Sequence, residues 1–220
     1  MAVEIQALST EMRGNNQDIW GQIDNHPFLA ELKDGTLADS KLKYYFTQNV
    51  MYIDAAIQFL AIGAAKAPDS DARNFCVELI GIANEEVEKQ RNFAANLPGG
   101  EVPTGMTAAC QGYTRHLLTE AHQGGTLNLL GAFLACPWTY EFIGKRLAPE
   151  IEHPVHSEWM EFYGSDEHTR IVDWQLSIID RLAADAGETR RAHIAASFRT
   201  SMRYEWMFWQ MAYNEEFWPV

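Results

Sequence analysis

The chain has 220 residues, 47% of them hydrophobic and 12% aromatic, which suits one globular domain with its own core and not a disordered segment. Thirty acidic against 17 basic side chains leave a formal charge of −13, and no basic cluster offsets phosphate repulsion, so a nucleic-acid or anionic-membrane surface is excluded. Three cysteines without Cys-x-x-Cys spacing, Cys76, Cys110 and Cys136, point to free thiols in a reducing cytoplasm.

Apolar residues recur at three- and four-residue steps along most of the chain, and no alternating stretch stands between turn signals. That pattern predicts an all-α fold. The N-terminal MAVEIQALSTEMRGNNQDIW lacks the basic and apolar regions of a secretion signal, and a first helix is expected near 3 to 24. His26-Pro27 and Asp34-Gly35 then flank a turn or short helix. Longer helices are expected near 39 to 66 and near 68 to 96, the second opened by Pro68-Asp69 and closed by Leu97-Pro98-Gly99-Gly100. Helices near 105 to 123 and 126 to 147 are separated by Gly124-Gly125, and His153-Pro154 precedes the last three, near 155 to 163, 166 to 186 and 188 to 217. The longest apolar run, around 127 to 140, is too short for a bilayer and is interrupted by Asn128, so no membrane span is expected. Short connections favour antiparallel neighbours in a bundle, and no repeat or linker divides it, so 1 to 220 is read as a single domain.

Three of these helices carry a polar group on an apolar line. On the helix at 39 to 66, Asn49 shares a face with Tyr45, Tyr52, Ala56 and Phe59, and its donor and acceptor atoms need partners from a backbone or a ligand. In FLACPWTYEFIG, Cys136 lies in line with Phe133, Tyr140 and Ile143. Pro137 removes its own N–H and displaces the carbonyl of Phe133, so a kink lining a cavity is expected beside a thiol of a kind that more often packs than reacts. On the last helix Glu205 follows Phe198 and Met202 and precedes Trp209 and Ala212. A carboxylate there must be paired, for instance with an arginine, or have a raised pKa suited to general acid chemistry.

A di-iron site would need Glu-x-x-His pairs on facing helices, and Glu85, Glu86, His116 and Glu141 do not supply them; Lys89, Gln90 and Phe93 follow Glu86 instead. Neither a metal nor another cofactor is expected. Glycine-rich phosphate loops and serine elbows are absent from the sequence.

Six segments together resemble the TenA/THI-4 family, thiaminase II-like proteins with the haem-oxygenase-like helical fold. They are HPFLAELKDGTL at 26 to 37, KYYFTQNVMY at 43 to 52, GYTRHL at 112 to 117, CPWTYEFIG at 136 to 144, EWMEFYG at 158 to 164 and YEWMFWQMAY at 204 to 213. The resemblance implies a pocket for an aminopyrimidine or thiamin-derived ligand, whose bond from the methylene carbon to a leaving amine or thiazolium is hydrolysed in pyrimidine salvage. It implies Cys136 as nucleophile, Glu205 as acid-base carboxylate, Tyr52, Tyr113, Tyr140 and Tyr163 as pocket tyrosines, and Phe208 as a stacking partner. It also implies a homo-oligomer, tetramer or dimer. A thiol that attacks needs an environment favouring its thiolate.

Two positions depart from the family pattern. Asn49 stands where the family usually carries an aspartate that pairs with the ring nitrogen and amino group. An amide matches a neutral aminopyrimidine edge but supplies no charge, so binding is expected with weaker ring activation, or with a different heterocycle. Ala135 precedes the cysteine where proline is usual, and Pro137 follows it. A non-catalytic or altered-specificity binding protein is therefore the alternative reading, with an oxidase of the same fold a third.

Overall fold

The computed structural model describes residues 6–220, and among them every regular element is helical. The order is α1 (Leu8–Gly14), α2 (Gln17–Asp24), α3 (Pro27–Lys33), α4 (Asp39–Ala65), α5 (Ser70–Asn96), α6 (Ala108–Phe133), α7 (Ala135–Leu147), a 3₁₀ turn (Ala148–Glu150), α8 (Pro154–Tyr163), α9 (Asp166–Ala184) and α10 (Glu188–Asn214). None of these helices is long and apolar enough to cross a membrane.

Side-chain caps start three of them near where the sequence predicts. The Asp69 carboxylate caps α5 by accepting from Ala72 N (2.9 Å), and Ser165 Oγ caps α9 by accepting from His168 N (3.2 Å). His26 caps α3 through Nδ1, with Pro27 in the first turn, where its missing N–H costs nothing.

The expected helix at 3 to 24 divides at Asn15-Asn16; residues 3 to 5 of it lie outside the described residues. Asn16 Nδ2 donates to the Met12 carbonyl at 2.7 Å, and the Arg199 guanidinium donates to Asn15 O and Asn16 Oδ1, both at 3.0 Å. Side-chain bonds of this kind compete with the helical ladder. Gly124-Gly125 is a kink and not a loop: Gly125 has φ 76° and ψ −168°, and helix resumes on its far side. Only glycine takes that conformation without strain. Thr126 Oγ1 then donates to the Gly63 carbonyl (2.8 Å), tying the turn to α4. The last helix stops at Asn214, three residues before the expected 217, where Glu215 adopts a left-handed conformation.

α4 packs along α5 and α6, and α10 lies against α6 while also touching α4 and α7. The line Phe198, Met202, Glu205, Trp209 and Ala212 is buried throughout, as its three- and four-residue spacing requires. Trp209 stacks on Tyr45 of α4 at 5.2 Å, with Phe28 and Trp159 tilted against it. This aromatic floor holds α4, α7 and α10 around a space at the centre of the bundle.

Candidate active site

Pro137 breaks the long apolar helix expected at 126 to 147 into the end of α6 and the start of α7, with Leu134 between them. Hydrogen bonding resumes at once on both sides: Leu134 N donates to Leu130 O (3.0 Å) and Trp138 N to Leu134 O (3.1 Å). The result is a bend. His168 of α9 donates Nε2–H to the Pro137 carbonyl at 2.9 Å, which fixes its tautomer, and burial lowers its pKa so that the ring stays neutral.

The bend aims Cys136 between two adjoining cavities. The outer one, about 120 Å³, lies between α4, α5, α7, α8 and α9 and is lined almost wholly by apolar side chains, including Ile53, Leu79, Ile82, Phe133 and Phe162. Its polar lining comes from Asn49, Glu86, His168 and the tyrosines Tyr52, Tyr140 and Tyr163. The inner chamber, about 10 Å³, has room for roughly one water. Asn49, Tyr52, Tyr113, Cys136, Tyr140, Glu205 and Phe208 line it. Seven of the eight residues singled out from the sequence thus meet in one chamber. The eighth, Tyr163, stands in the outer cavity with its ring 4.8 Å from that of Tyr140.

A close backbone approach places Tyr163 there. Gly144, one turn after Tyr140, packs so tightly on the end of α8 that a Cβ would stand 2.4 Å from Tyr163 C and 2.5 Å from Gly164 N. Tyr140 is held from the other side, its hydroxyl bonded to that of Tyr45. Tyr52 lies 5.1 Å from Tyr113 and 5.9 Å, edge-on, from Phe208. Burial pushes the hydroxyls of Tyr52, Tyr113, Tyr140 and Tyr163 well above the ordinary phenol range, so all four remain neutral donors.

Glu205 is 2% exposed, and its partner is the Tyr113 hydroxyl, which donates to Oε1 at 2.6 Å; the arginine pair considered from the sequence is not what holds it. Burial raises its pKa to about 7, and the Tyr113 bond partly opposes that rise. The thiol differs from expectation. Cys136 borders the cavity, yet burial and then the neighbouring Glu205 charge push it well above the usual thiol range, and only the Tyr52 hydroxyl favours its thiolate. The Tyr52 hydroxyl has no oxygen or nitrogen partner and is free to face the sulfur. Among the described residues, no lysine or arginine lines either cavity. Two negative charges cannot coexist cheaply in so dry a space, so an ionised Glu205 opposes ionisation of Cys136.

Asn49 donates Nδ2 to Gln90 Oε1 at 2.7 Å, and Gln90 donates Nε2 to Glu86 Oε1 at 2.7 Å. The sequence reading considered Glu86 and Gln90 only as absent metal ligands. Their signal was their place on α5, where the apolar line through Cys76, Leu79 and Ala83 continues into Glu86 and the fully buried Gln90. The other groups weighed for a metal serve elsewhere: His116 bonds to Ser201 Oγ (3.1 Å), and Glu141 accepts from Lys145 (2.6 Å).

The model of the TENA/THI-4/PQQC family matches residues 13–215. An aminopyrimidine aminohydrolase of Halalkalibacterium halodurans is 32% identical over 212 residues, covering 92% of this chain and 93% of that one. Among solved structures, a TenA homologue from P. horikoshii OT3 superposes with a TM-score of 0.81 at 26% identity, covering 96% of this chain and 100% of that one. A domain of unknown function from Shewanella denitrificans OS217, described as having a heme oxygenase-like fold, gives 0.72 at 14% identity, covering 97% and 94%. The haem-oxygenase-like fold of the chain follows from these likenesses.

Proposed function

The chain belongs to the TENA/THI-4/PQQC family, and from that premise we propose that it is a hydrolase of aminopyrimidines, releasing an amine, or from a thiazolium substrate the neutral thiazole, from the ring's methylene carbon. One observation carries the reading: a thiol and a carboxyl of raised pKa, Cys136 and Glu205, share a chamber with four neutral aromatic walls and an amide. A flat heterocycle suits the tyrosine-faced outer cavity, which shares Asn49, Tyr52, Cys136 and Tyr140 with the inner chamber, and Asn49 offers an acceptor and a donor to an amino group and the adjacent ring nitrogen.

In the proposed reaction Cys136 passes its proton to Glu205 as its sulfur bonds to an electron-poor ring carbon. The bond from methylene to nitrogen breaks, the electron pair leaves on nitrogen, and Glu205 gives that nitrogen the proton. Glu205 next takes a proton from water as its oxygen bonds to the methylene carbon. The carbon–sulfur bond then breaks, the pair returns to sulfur, and Glu205 restores the thiol proton. The products are a hydroxymethylpyrimidine and a free amine. A cytoplasmic setting, a salvage role and assembly as a homotetramer or dimer belong to the same proposal.

A binding protein of altered specificity is the second reading, favoured by the neutral Asn49 and the protonated thiol. Incubation with thiamin and with 4-amino-5-aminomethyl-2-methylpyrimidine separates the two. Hydrolysis by the wild type, lost in Cys136→Ser, supports the enzyme. Tight binding without product supports the binding protein and overturns the catalytic reading.

A further inference from the structure

Asn49, Gln90 and Glu86 form a hydrogen-bonded chain from the cavity wall of α4 through the interior of α5, and Glu86 itself borders the outer cavity. We propose that Glu86 is a positioning residue for the pocket: acting through Gln90, it sets the orientation of the Asn49 amide that meets the ligand. The proposal rests on the hydrolase reading for the identity of that ligand, although the chain of bonds is a property of the ligand-free protein.

The polarity of the chain follows from donor and acceptor inventory. A carboxylate only accepts, so Gln90 must turn its N–H₂ toward Glu86 and its carbonyl toward Asn49. Asn49 must then turn its own N–H₂ toward Gln90. Its Oδ1 and second N–H have no other partner among the described residues and are left for the cavity. Glu86 thus makes residue 49 present one acceptor beside one donor, the complement of an amino group next to an unprotonated ring nitrogen. On this wall of the cavity the carboxyl group stands at residue 86, two hydrogen bonds from residue 49.

This arrangement makes the identities of residues 49 and 86 interdependent. An aspartate at 49 accepts only, and would require the Gln90 amide to turn its N–H₂ the other way, setting its carbonyl against the Glu86 carboxylate. Two acceptors would then face each other in a part-buried place, beside the fully buried Gln90, where an unmet polar group is costly. A glutamine at 86 removes the conflict, because it donates to the turned Gln90 carbonyl.

The test is a cycle of four chains: wild type, Asn49→Asp, Glu86→Gln, and the double variant. In ligand-free melts, Asn49→Asp lowers Tm by about 4 °C or more, and adding Glu86→Gln restores most of that loss. Calorimetry with 4-amino-2,5-dimethylpyrimidine, which has no leaving group, gives about tenfold weaker binding for Asn49→Asp and recovery in the double variant. Additive melting effects overturn the proposal outright. Coupled melting with binding indifferent to residue 86 also overturns it, since Glu86 would then position nothing for the ligand. Coupled melting in chains that all fail to bind the pyrimidine supports the bonded chain and counts instead against the hydrolase reading.

Discussion

Replacing Tyr113 with phenylalanine removes one hydroxyl and keeps the ring that lies against Tyr52 and stacks on Tyr204 at 5.3 Å. That hydroxyl donates to Glu205 at 2.6 Å and stabilises the carboxylate over the acid. Its loss therefore moves the carboxyl further up from about 7. A hydrogen bond to a charged group is worth roughly 1.5–3 kcal/mol, and about 1.4 kcal/mol corresponds to one pH unit, so the rise should be about one to two pH units. In the proposed reaction Glu205 takes the thiol proton only when ionised, which makes it responsible there for the acidic limb of the rate profile. The assay is kcat/KM for the aminomethylpyrimidine from mildly acidic to alkaline pH, in wild type and Tyr113→Phe. The limb should move toward alkaline pH by that amount. A limb that stays in place, or moves toward acid, refutes the assignment of Glu205 as the base.

Glu205→Gln should trade activity for stability: the wild-type carboxyl is displaced from 4.5 to about 7 by burial, so its contribution to stability is full below 4.5 and is lost as pH rises through about 7. The variant should be more stable than wild type by about 3 kcal/mol at alkaline pH, with the gain vanishing near pH 4.5, as denaturant melts across pH will show. Gly144→Ala drives a methyl into the backbone of Tyr163 and Gly164, which cannot yield as a side chain can. It should cost about 2–3 kcal/mol, lower Tm by roughly 4–10 °C, and reduce activity by moving Tyr163 from Tyr140. Gly125→Ala meets open space, so its cost is backbone strain alone, about 1–3 kcal/mol in a denaturant melt with little change in KM.

The helical pattern was legible because burial repeats every three or four residues, and Phe198, Met202, Glu205 and Trp209 obey that period from end to end. The bend at Pro137 was legible for a covalent reason, the missing N–H. The division of the first helix was not, since it depends on Arg199 reaching Asn15 and Asn16 from about 180 residues away in sequence. The site shows the same limit. Motif resemblance named the residues that meet in the chamber, but helix spacing could not show which charges face Cys136, and the expected thiolate-favouring surroundings proved to be a dry space shared with a carboxyl. The Asn49–Gln90 bond joins residues 41 apart on two helices, a pairing that neither local sequence contains.

The proposed reaction bonds Cys136 covalently to the ring during turnover. Rapid quenching of the wild type with excess aminomethylpyrimidine, followed by mass measurement of the peptide carrying Cys136, tests it most directly. The expected result is a peptide heavier by one pyrimidinylmethyl group, absent from Cys136→Ser, which makes no product. Product forming while that peptide stays unmodified, with Cys136→Ser turning over at the wild-type rate, would contradict it.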